Sequence, residues 1–280
     1  MHLSRRELIA LYATAAFGRS HNLKIGVTDW NLRQTGRVEA LALAKRIGFA
    51  GVQVSLGRTL VNDHLPLSDR KRQLNYMSES QKLDFPISST CLDILHVNYL
   101  KNDKLGQQWV REGIAATAAL GVEVMLLPFF GKGAIEERAE QDAVADILKE
   151  IGPEAEKAKM ILGVEDTISA EDNMRLMDRA KSKAVRVFYD TGNSFSKGFD
   201  IYREIRTLGA KRICQIHLKD SPNYLGEGKI DFSKVMRSIA EAGFKQWAVL
   251  ETETPSNSIE ADMKRNLTFV QRILKDTPPA

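Results

Sequence analysis

Four residues of metal-ligand type stand at equivalent places along the second half of the chain. Each directly follows a short apolar run, and the four are Glu165, Asp190, His217 and Glu251. They are 25, 27 and 34 residues apart, which is about the length of one strand and one helix. Three carboxylates and one imidazole suit Mn²⁺ or Mg²⁺ and also accept Co²⁺ or Zn²⁺.

A structural role is the alternative for each of these residues taken alone. Asp166 and Asp190 could each cap a following helix, and a single acid after a strand is usually a cap or a surface charge. Three carboxylates that meet at one point repel each other, so without a cation at least one would take up a proton. Because all four positions follow successive apolar runs, we predict a site for one divalent metal ion, with Mn²⁺ as the first choice.

The elements that would position these residues alternate between apolar runs and amphipathic helical runs. Eight such units follow one another from residue 23 to the C-terminal helix. The apolar runs are continuous, which is typical of strands that are buried on both faces of a parallel sheet. This order predicts an α/β fold, a (β/α)8 TIM barrel that forms a single domain over residues 23–280. In such a barrel the C-terminal ends of the strands form the active site, where the four side chains would converge.

Residues 1–22 precede the predicted barrel. The segment places Ser4, Arg5 and Arg6 before an apolar run over residues 8–18, which resembles a twin-arginine export signal. We therefore expect export to the periplasm. The alternative is an N-terminal extension that packs against the barrel of a cytoplasmic protein.

Composition limits the partners of the protein. The 40 basic and 36 acidic residues are nearly balanced and scattered, with a net charge of +4, so we expect no nucleic-acid partner. No stretch of the sequence is long and apolar enough to span a membrane. Cys91 and Cys214 each lie in an apolar run and are predicted to be buried free thiols. The expected partner is a small molecule, and a homo-oligomer is left open.

The sequence resembles the xylose-isomerase-like barrels, in particular the sugar phosphate isomerase/epimerase group. The stretches that carry this resemblance are residues 163–167, 189–193, 216–220, 225–232 and 250–253. The resemblance implies that Glu165, Asp190, His217 and Glu251 hold one divalent ion. It also implies that Glu165 and Glu251 flank the substrate as an acid/base pair.

Further residues are expected to shape the substrate pocket. Lys219 is predicted to bind a substrate oxygen, and the alternative is a surface salt bridge. Glu227 is predicted to bind a substrate hydroxyl, and the alternative is that it organises its own loop. His96 follows the third strand, and Trp30 follows the first, where it could form an apolar wall for a sugar. Asn193 stands where some ketose 3-epimerases of the group carry His, and strand two lacks the Glu that is often found there.

The chemistry that this site suits is removal of a proton from a carbon next to a carbonyl, through an enediolate. Return of the proton from the other face gives an epimerase, and return to the neighbouring carbon gives an isomerase. Loss of a leaving group would make the protein a lyase, for example one acting on a 3-keto-glycoside. Two other classes are an endonuclease-type hydrolase and a non-catalytic sugar-binding barrel. The hydrolase would need several histidines in its metal cluster, whereas only His96 and His217 of the five histidines in this chain fall at predicted strand ends.

Overall fold

The computed structural model describes residues 23–277, in which eight parallel strands close into a barrel in sequence order. The strands are β1 (Lys24–Thr28), β2 (Gly51–Ser55), β3 (Ile87–Cys91), β4 (Val124–Pro128), β5 (Ile161–Glu165), β6 (Val185–Asp190), β7 (Ile213–Leu218) and β8 (Trp247–Leu250). The predicted single-domain TIM barrel is therefore confirmed. The predicted export signal, residues 1–22, lies outside the described residues.

Helices connect successive strands. They are α1 (Glu39–Ile47), α2 (Arg70–Leu83), α3 (Lys104–Ala119), α4 (Arg138–Lys157), α5 (Ala170–Ala180), α6 (Thr191–Ser196), α7 (Ile201–Arg212), α8 (Phe232–Glu241) and α9 (Ile259–Asp276). The short helix α6 is not expected from the sequence, because it is too brief to show an amphipathic period. It begins directly after Asp190 and so connects the end of β6 to α7.

The apolar runs become strands because the barrel covers both of their faces. Every residue of β2, β4 and β7 is buried. Helix α8 shows the complementary pattern, with Phe232, Val235, Met236 and Ile239 recurring at helical spacing and buried. Within the described residues no helix combines the length and apolar character needed to cross a membrane.

Strand register brings the ligand-type residues to one end of the barrel. Asp190 is the register partner of His217 across β6 and β7. Glu165 ends β5, and the backbone N–H of Glu251 bonds to the carbonyl of Leu218 at 3.1 Å, just past β8. All four positions therefore lie at the C-terminal ends of adjacent strands.

Most buried apolar side chains form one core between the barrel and the helices. A smaller cluster consists of Cys91, Val124, Leu126, Phe188 and Cys214. Both cysteines are free and buried, which confirms the prediction made for them.

Candidate metal centre

The structure brings Glu165, Asp190, His217 and Glu251 together. Each offers one ligand atom, and these atoms all lie within 4.8 Å of one another. The Nδ1 atom of His217 is 2.8 Å from Glu165 Oε1, 3.5 Å from Glu251 Oε2 and 3.7 Å from Asp190 Oδ2. Among residues 23–277 this is the one group of His, Cys, Asp and Glu side chains with such geometry.

A divalent cation fits this group of side chains. Asp190 Oδ2 is buried and has no hydrogen-bond partner, so a carboxylate lone pair there faces the other ligand-type atoms. The donor set is mostly oxygen with one imidazole, which matches the preferences of hard and borderline divalent ions. A cation would also remove the repulsion among three carboxylates that lie close together.

Asp190 also caps the short helix α6. Its Oδ1 accepts from the backbone N–H of Asn193 at 2.6 Å, which leaves Oδ2 for the centre. Thr191 connects the ends of β6 and β7, since its hydroxyl donates to the carbonyl of His217 and accepts from the N–H of Lys219. The capping role considered from sequence and a ligand role thus use different oxygens of one side chain.

His217 is held at both ring nitrogens. Its Nε2 lies 2.7 Å from Gln53 Oε1, on the side of the ring opposite the carboxylates. The ring of Phe188 packs at 4.5 Å between centroids. Gln53 is a site residue that was not predicted, although a glutamine between two valines of a predicted strand is a visible signal in the sequence.

Both oxygens of Glu251 have partners from predicted pocket residues. Trp30 Nε1 donates to Oε1 at 3.0 Å, and Lys219 Nζ lies 2.8 Å from Oε2. Lys219 is partly buried, with 22% of its side chain exposed. Trp30 and Lys219 therefore lie at the centre, on the β8 side.

Burial and neighbouring charges give the acids different pKa values. Burial raises the pKa of Glu165, and the charge of His217 offsets this only in part. Burial also raises the pKa of Asp190 well above its usual range. For Glu251, burial is outweighed by the charges of His217 and Lys219, which lower the pKa to about 2. The site therefore favours an ionised Glu251 beside acids that bind protons more readily.

The remaining predicted pocket residues lie in three places. His96 ends a short 3₁₀ turn after β3 and stacks on Phe130 at 6.3 Å between centroids. Burial lowers the pKa of His96, the charge of Arg58 lowers it further, and the charge of Glu251 raises it. Asn193 lines a cavity beside Lys219.

Glu227 is not brought to the centre. It forms an ion pair with Arg265 on α9, and 49% of its side chain is exposed. The glycine-rich loop that carries it folds around Asp220, whose Oδ2 accepts from the N–H groups of Gly226 and Gly228. This arrangement presents Glu227 to α9.

A cavity of about 340 Å³ lies between the segments that follow β6 and β7. It shares Asn193 and Lys219 with the surroundings of the metal centre. Its other lining residues are Gly192, Phe195, Ser196, Asp220, Ser221, Asn223, Gly228, Lys229 and Ile230. Apolar atoms form the larger part of this lining, and its polar side chains offer both hydrogen-bond donors and acceptors.

Two further buried carboxylates organise loops near the strand ends. Asp29 Oδ2 accepts from the N–H groups of Gly36 at 2.8 Å and Ser55 at 3.0 Å. Burial raises the pKa of Asp29 to about 8. Asp166 accepts from the N–H of Ile168, and burial raises its pKa to about 7. Both side chains satisfy backbone donors, which is a structural role.

The chain belongs to the family described as the xylose isomerase-like TIM barrel, whose model matches residues 41–273. The family predicted from the sequence motifs is thereby confirmed. Fold, strand order and position of the four ligand-type residues all agree with a barrel that carries its site at the C-terminal strand ends.

Two curated proteins are among its sequence relatives. The chain is 27% identical over 203 residues to a 2-epi-5-epi-valiolone 7-phosphate 2-epimerase of Actinoplanes sp., covering 71% of this chain and 73% of that protein. It is 29% identical over 160 residues to an inosose dehydratase of Geobacillus thermodenitrificans, covering 46% of this chain and 52% of that protein.

Solved structures share the fold at low sequence identity. A D-psicose 3-epimerase from Clostridium cellulolyticum has a TM-score of 0.76 at 13% identity, covering 90% of this chain and 99% of that one. A 3-keto-D-glucoside 4-epimerase from E. coli has a TM-score of 0.71 at 14% identity, covering 89% and 99%. The IOLI protein with a bound zinc atom has a TM-score of 0.71 at 15% identity, covering 91% and 99%.

Proposed function

We propose that the protein is a divalent-metal-dependent sugar isomerase or epimerase. It removes a proton from a carbon next to a carbonyl, with Glu165 and Glu251 as the acid/base pair. The observation that carries this proposal is the convergence of both glutamates with Asp190 and His217, within 4.8 Å, at the strand ends of a barrel.

The protein is an enzyme that acts on sugars or sugar-like cyclitols. Its curated relatives include an epimerase and inosose dehydratases, which are isomerising and eliminating enzymes. Epimerisation, isomerisation and β-elimination all begin by forming a carbanion next to a carbonyl, so one set of residues can support all three.

Glu165, Asp190, His217 and Glu251 would hold the ion, and a bound divalent ion would stabilise the negative charge that develops on the substrate oxygens. Mn²⁺ is the proposed ion because most of the donors are carboxylates, while the zinc-bound relative supports a divalent ion of some kind. Glu165 and Glu251 exchange protons with substrate carbon. Lys219 and Trp30 orient Glu251 through its two oxygens.

The substrate side of the proposal rests on residues near the centre. Asn193 and Lys219 border the cavity of about 340 Å³, which offers room for the part of a sugar that does not react. His96 and Trp30 are proposed to contact the reacting sugar. Glu227 takes no part, because its carboxylate is engaged with Arg265.

A lyase is the second candidate, and the inosose dehydratases among the relatives favour it. In this case a leaving group β to the carbanion departs, as it would from a 3-keto-glycoside. Export would agree with such a substrate, since phosphorylated intermediates are mostly kept in the cytoplasm. We retain export as a proposal. N-terminal sequencing of the mature protein tests it, because an intact Met1 in the cytoplasm would overturn it.

A nuclease activity is not part of the proposal. A probable endonuclease 4 of Mycoplasma pneumoniae matches with 38% identity, but over 81 residues, or 25% of this chain. Within residues 23–277 the ligand-type side chains form one group with a single histidine. That group is smaller than the several-histidine cluster that such a nuclease would need.

Proton exchange in heavy water tests the proposed chemistry. Mn²⁺-loaded protein is incubated with free ketoses, ketose phosphates and 3-keto-glucosides, and deuterium next to the carbonyl is measured by mass spectrometry. We expect metal-dependent incorporation that Glu165→Gln and Glu251→Gln each lower by at least about 100-fold, the scale of general acid/base catalysis.

Glu204→Gln is the matched control. Glu204 is a buried glutamate on α7 that accepts from Tyr189 Oη and the N–H of Ala170, away from the four ligands. This variant should keep the exchange activity. Sugar binding to the metal-loaded protein without any exchange would overturn the proposal and favour a non-catalytic sugar-binding barrel.

A further inference from the structure

His217 presents its two ring nitrogens to two different environments. Nδ1 faces the three carboxylates at 2.8, 3.5 and 3.7 Å. Nε2 faces a single partner, Gln53 Oε1, at 2.7 Å. Both side chains have 0% exposure, so solvent cannot replace this partner.

A nitrogen that binds a metal must be unprotonated, and in a neutral imidazole the other nitrogen then carries the hydrogen. An amide oxygen can only accept a hydrogen bond. Gln53 Oε1 therefore stabilises the form of His217 in which Nε2 is protonated, and this form leaves the Nδ1 lone pair directed at Glu165, Asp190 and Glu251.

We infer that Gln53 is a positioning residue of the metal centre, which sets the orientation and tautomer of His217. The inference rests on the proposed function in one respect, that the four-residue group binds a divalent ion. It adds a residue from the opposite side of the barrel, on β2, to a centre otherwise built from β5 to β8.

The backbone of β2 supports this assignment. The register between β2 and β3 shifts between Val52 and Gln53, which is an irregularity of the β-bulge type. Such irregularities change the direction in which a side chain points and often occur beside active sites. Here the shift falls at the residue whose side chain reaches His217.

A neutral partner is suited to the charge of the centre. The three negative charges of the carboxylates would be balanced by one divalent ion and by the ammonium of Lys219, which forms an ion pair with Glu251. A carboxylate at position 53 would add a buried charge with no counter-ion, at a large desolvation cost. An amide provides the acceptor without that charge.

The test compares two glutamines of the barrel interior. Gln215 is also buried, and its amide accepts from Ser89 Oγ and donates to the carbonyl of Ser88, so its hydrogen bonds go to β3 and not to His217. Gln53→Met and Gln215→Met each remove a buried amide.

Mn²⁺ affinity is measured by calorimetry on metal-stripped protein. Loss of a partner behind a metal-binding histidine costs about 10–100-fold in affinity, so we expect this loss for Gln53→Met and less than about threefold for Gln215→Met.

A measurement on the wild-type protein covers the case in which Gln53→Met does not fold. Nitrogen-15 NMR of the Zn²⁺-loaded protein should show His217 protonated at Nε2 and bound at Nδ1. A proton on Nδ1, or equal losses of Mn²⁺ affinity in the two methionine variants, would overturn the inference. Neither measurement needs a substrate. If the affinity loss is found but proton exchange is absent, Gln53 keeps its role and the proposed reaction fails.

Discussion

Lys219 Nζ lies 2.8 Å from Glu251 Oε2, and the other oxygen of the same carboxylate accepts from Trp30 Nε1. One of the two proposed proton-transfer residues therefore has a fixed orientation and a cation beside it. The positive charges of Lys219 and His217 outweigh the effect of burial on the pKa of Glu251.

Removing this cation should disable the acid/base pair. In Lys219→Met, Glu251 loses its charged hydrogen bond and its fixed position, so we expect proton exchange to fall by about 100-fold or more. Lys234→Met is the control, because Lys234 is exposed on α8 and pairs with Asp231. Exchange rates are measured by mass spectrometry, and equal rates in wild type and Lys219→Met would refute a role for the cation.

The aliphatic part of the Lys219 side chain packs so close to Gly192 that a larger residue at position 192 would collide with it. A Cβ atom at Gly192 would meet Lys219 Cγ at 2.8 Å and the Lys219 carbonyl at 3.0 Å. We expect Gly192→Ala to shift Lys219 away from Glu251 and to lower proton exchange by about tenfold, since small displacements of positioned groups are costly. A double-mutant cycle with Lys219→Met checks the mechanism. The effect of Gly192→Ala on exchange should nearly vanish once Lys219 is Met, because the ammonium that it displaces is then absent. Full additivity would show that Gly192→Ala does not act through this ammonium.

Metal binding should stabilise the folded protein. An ion that binds only the native state at 100 times its dissociation constant adds about 2.7 kcal/mol to the free energy of unfolding. We expect Mn²⁺ to give an increase of this order over metal-stripped protein in urea denaturation. In Asp190→Asn the increase should be mostly lost, while Asn193 can still donate to the retained side-chain oxygen. An unchanged increase in Asp190→Asn would remove Asp190 from the ligand set.

Asp29 should make the protein less stable as pH rises. Burial raises its folded-state pKa from 3.8 to about 8, so the folded protein keeps a proton that the unfolded chain loses. The contribution of Asp29 to the free energy of unfolding is therefore present at low pH and is lost as pH rises from about 4 towards about 8. Each unit of difference between the folded and unfolded pKa values corresponds to about 1.4 kcal/mol.

Asp29→Asn should flatten this dependence, because its amide oxygen can accept from Gly36 and Ser55 at every pH. The free energy of unfolding is measured by urea denaturation across this pH range. Asp63→Asn, at an exposed site, serves as the control and should keep the wild-type slope. A slope in Asp29→Asn as steep as that of wild type would show that Asp29 is already ionised in the folded state.

The sequence predicted the barrel and the four converging residues because both follow from local order. Continuous apolar runs that alternate with helices identify parallel strands, and the first polar residue after each run lies at a strand end. Glu227 illustrates the limit of this reasoning. Its glycine-flanked position led to the prediction that it binds a substrate oxygen, but hydrogen bonds from Gly226 and Gly228 to Asp220 direct it to Arg265.

The order of the residues was enough to determine the fold, the position of Glu165, Asp190, His217 and Glu251 on successive strands, and the type of ion that such donors prefer. Tertiary structure alone decided which partners hold these side chains. Gln53 is 164 residues from His217, and Trp30 is 221 residues from Glu251, so their pairing depends on barrel closure and strand register. Burial was decided there as well, and it determines which carboxylates bind protons and which stay ionised, because desolvation depends on the surroundings of a group.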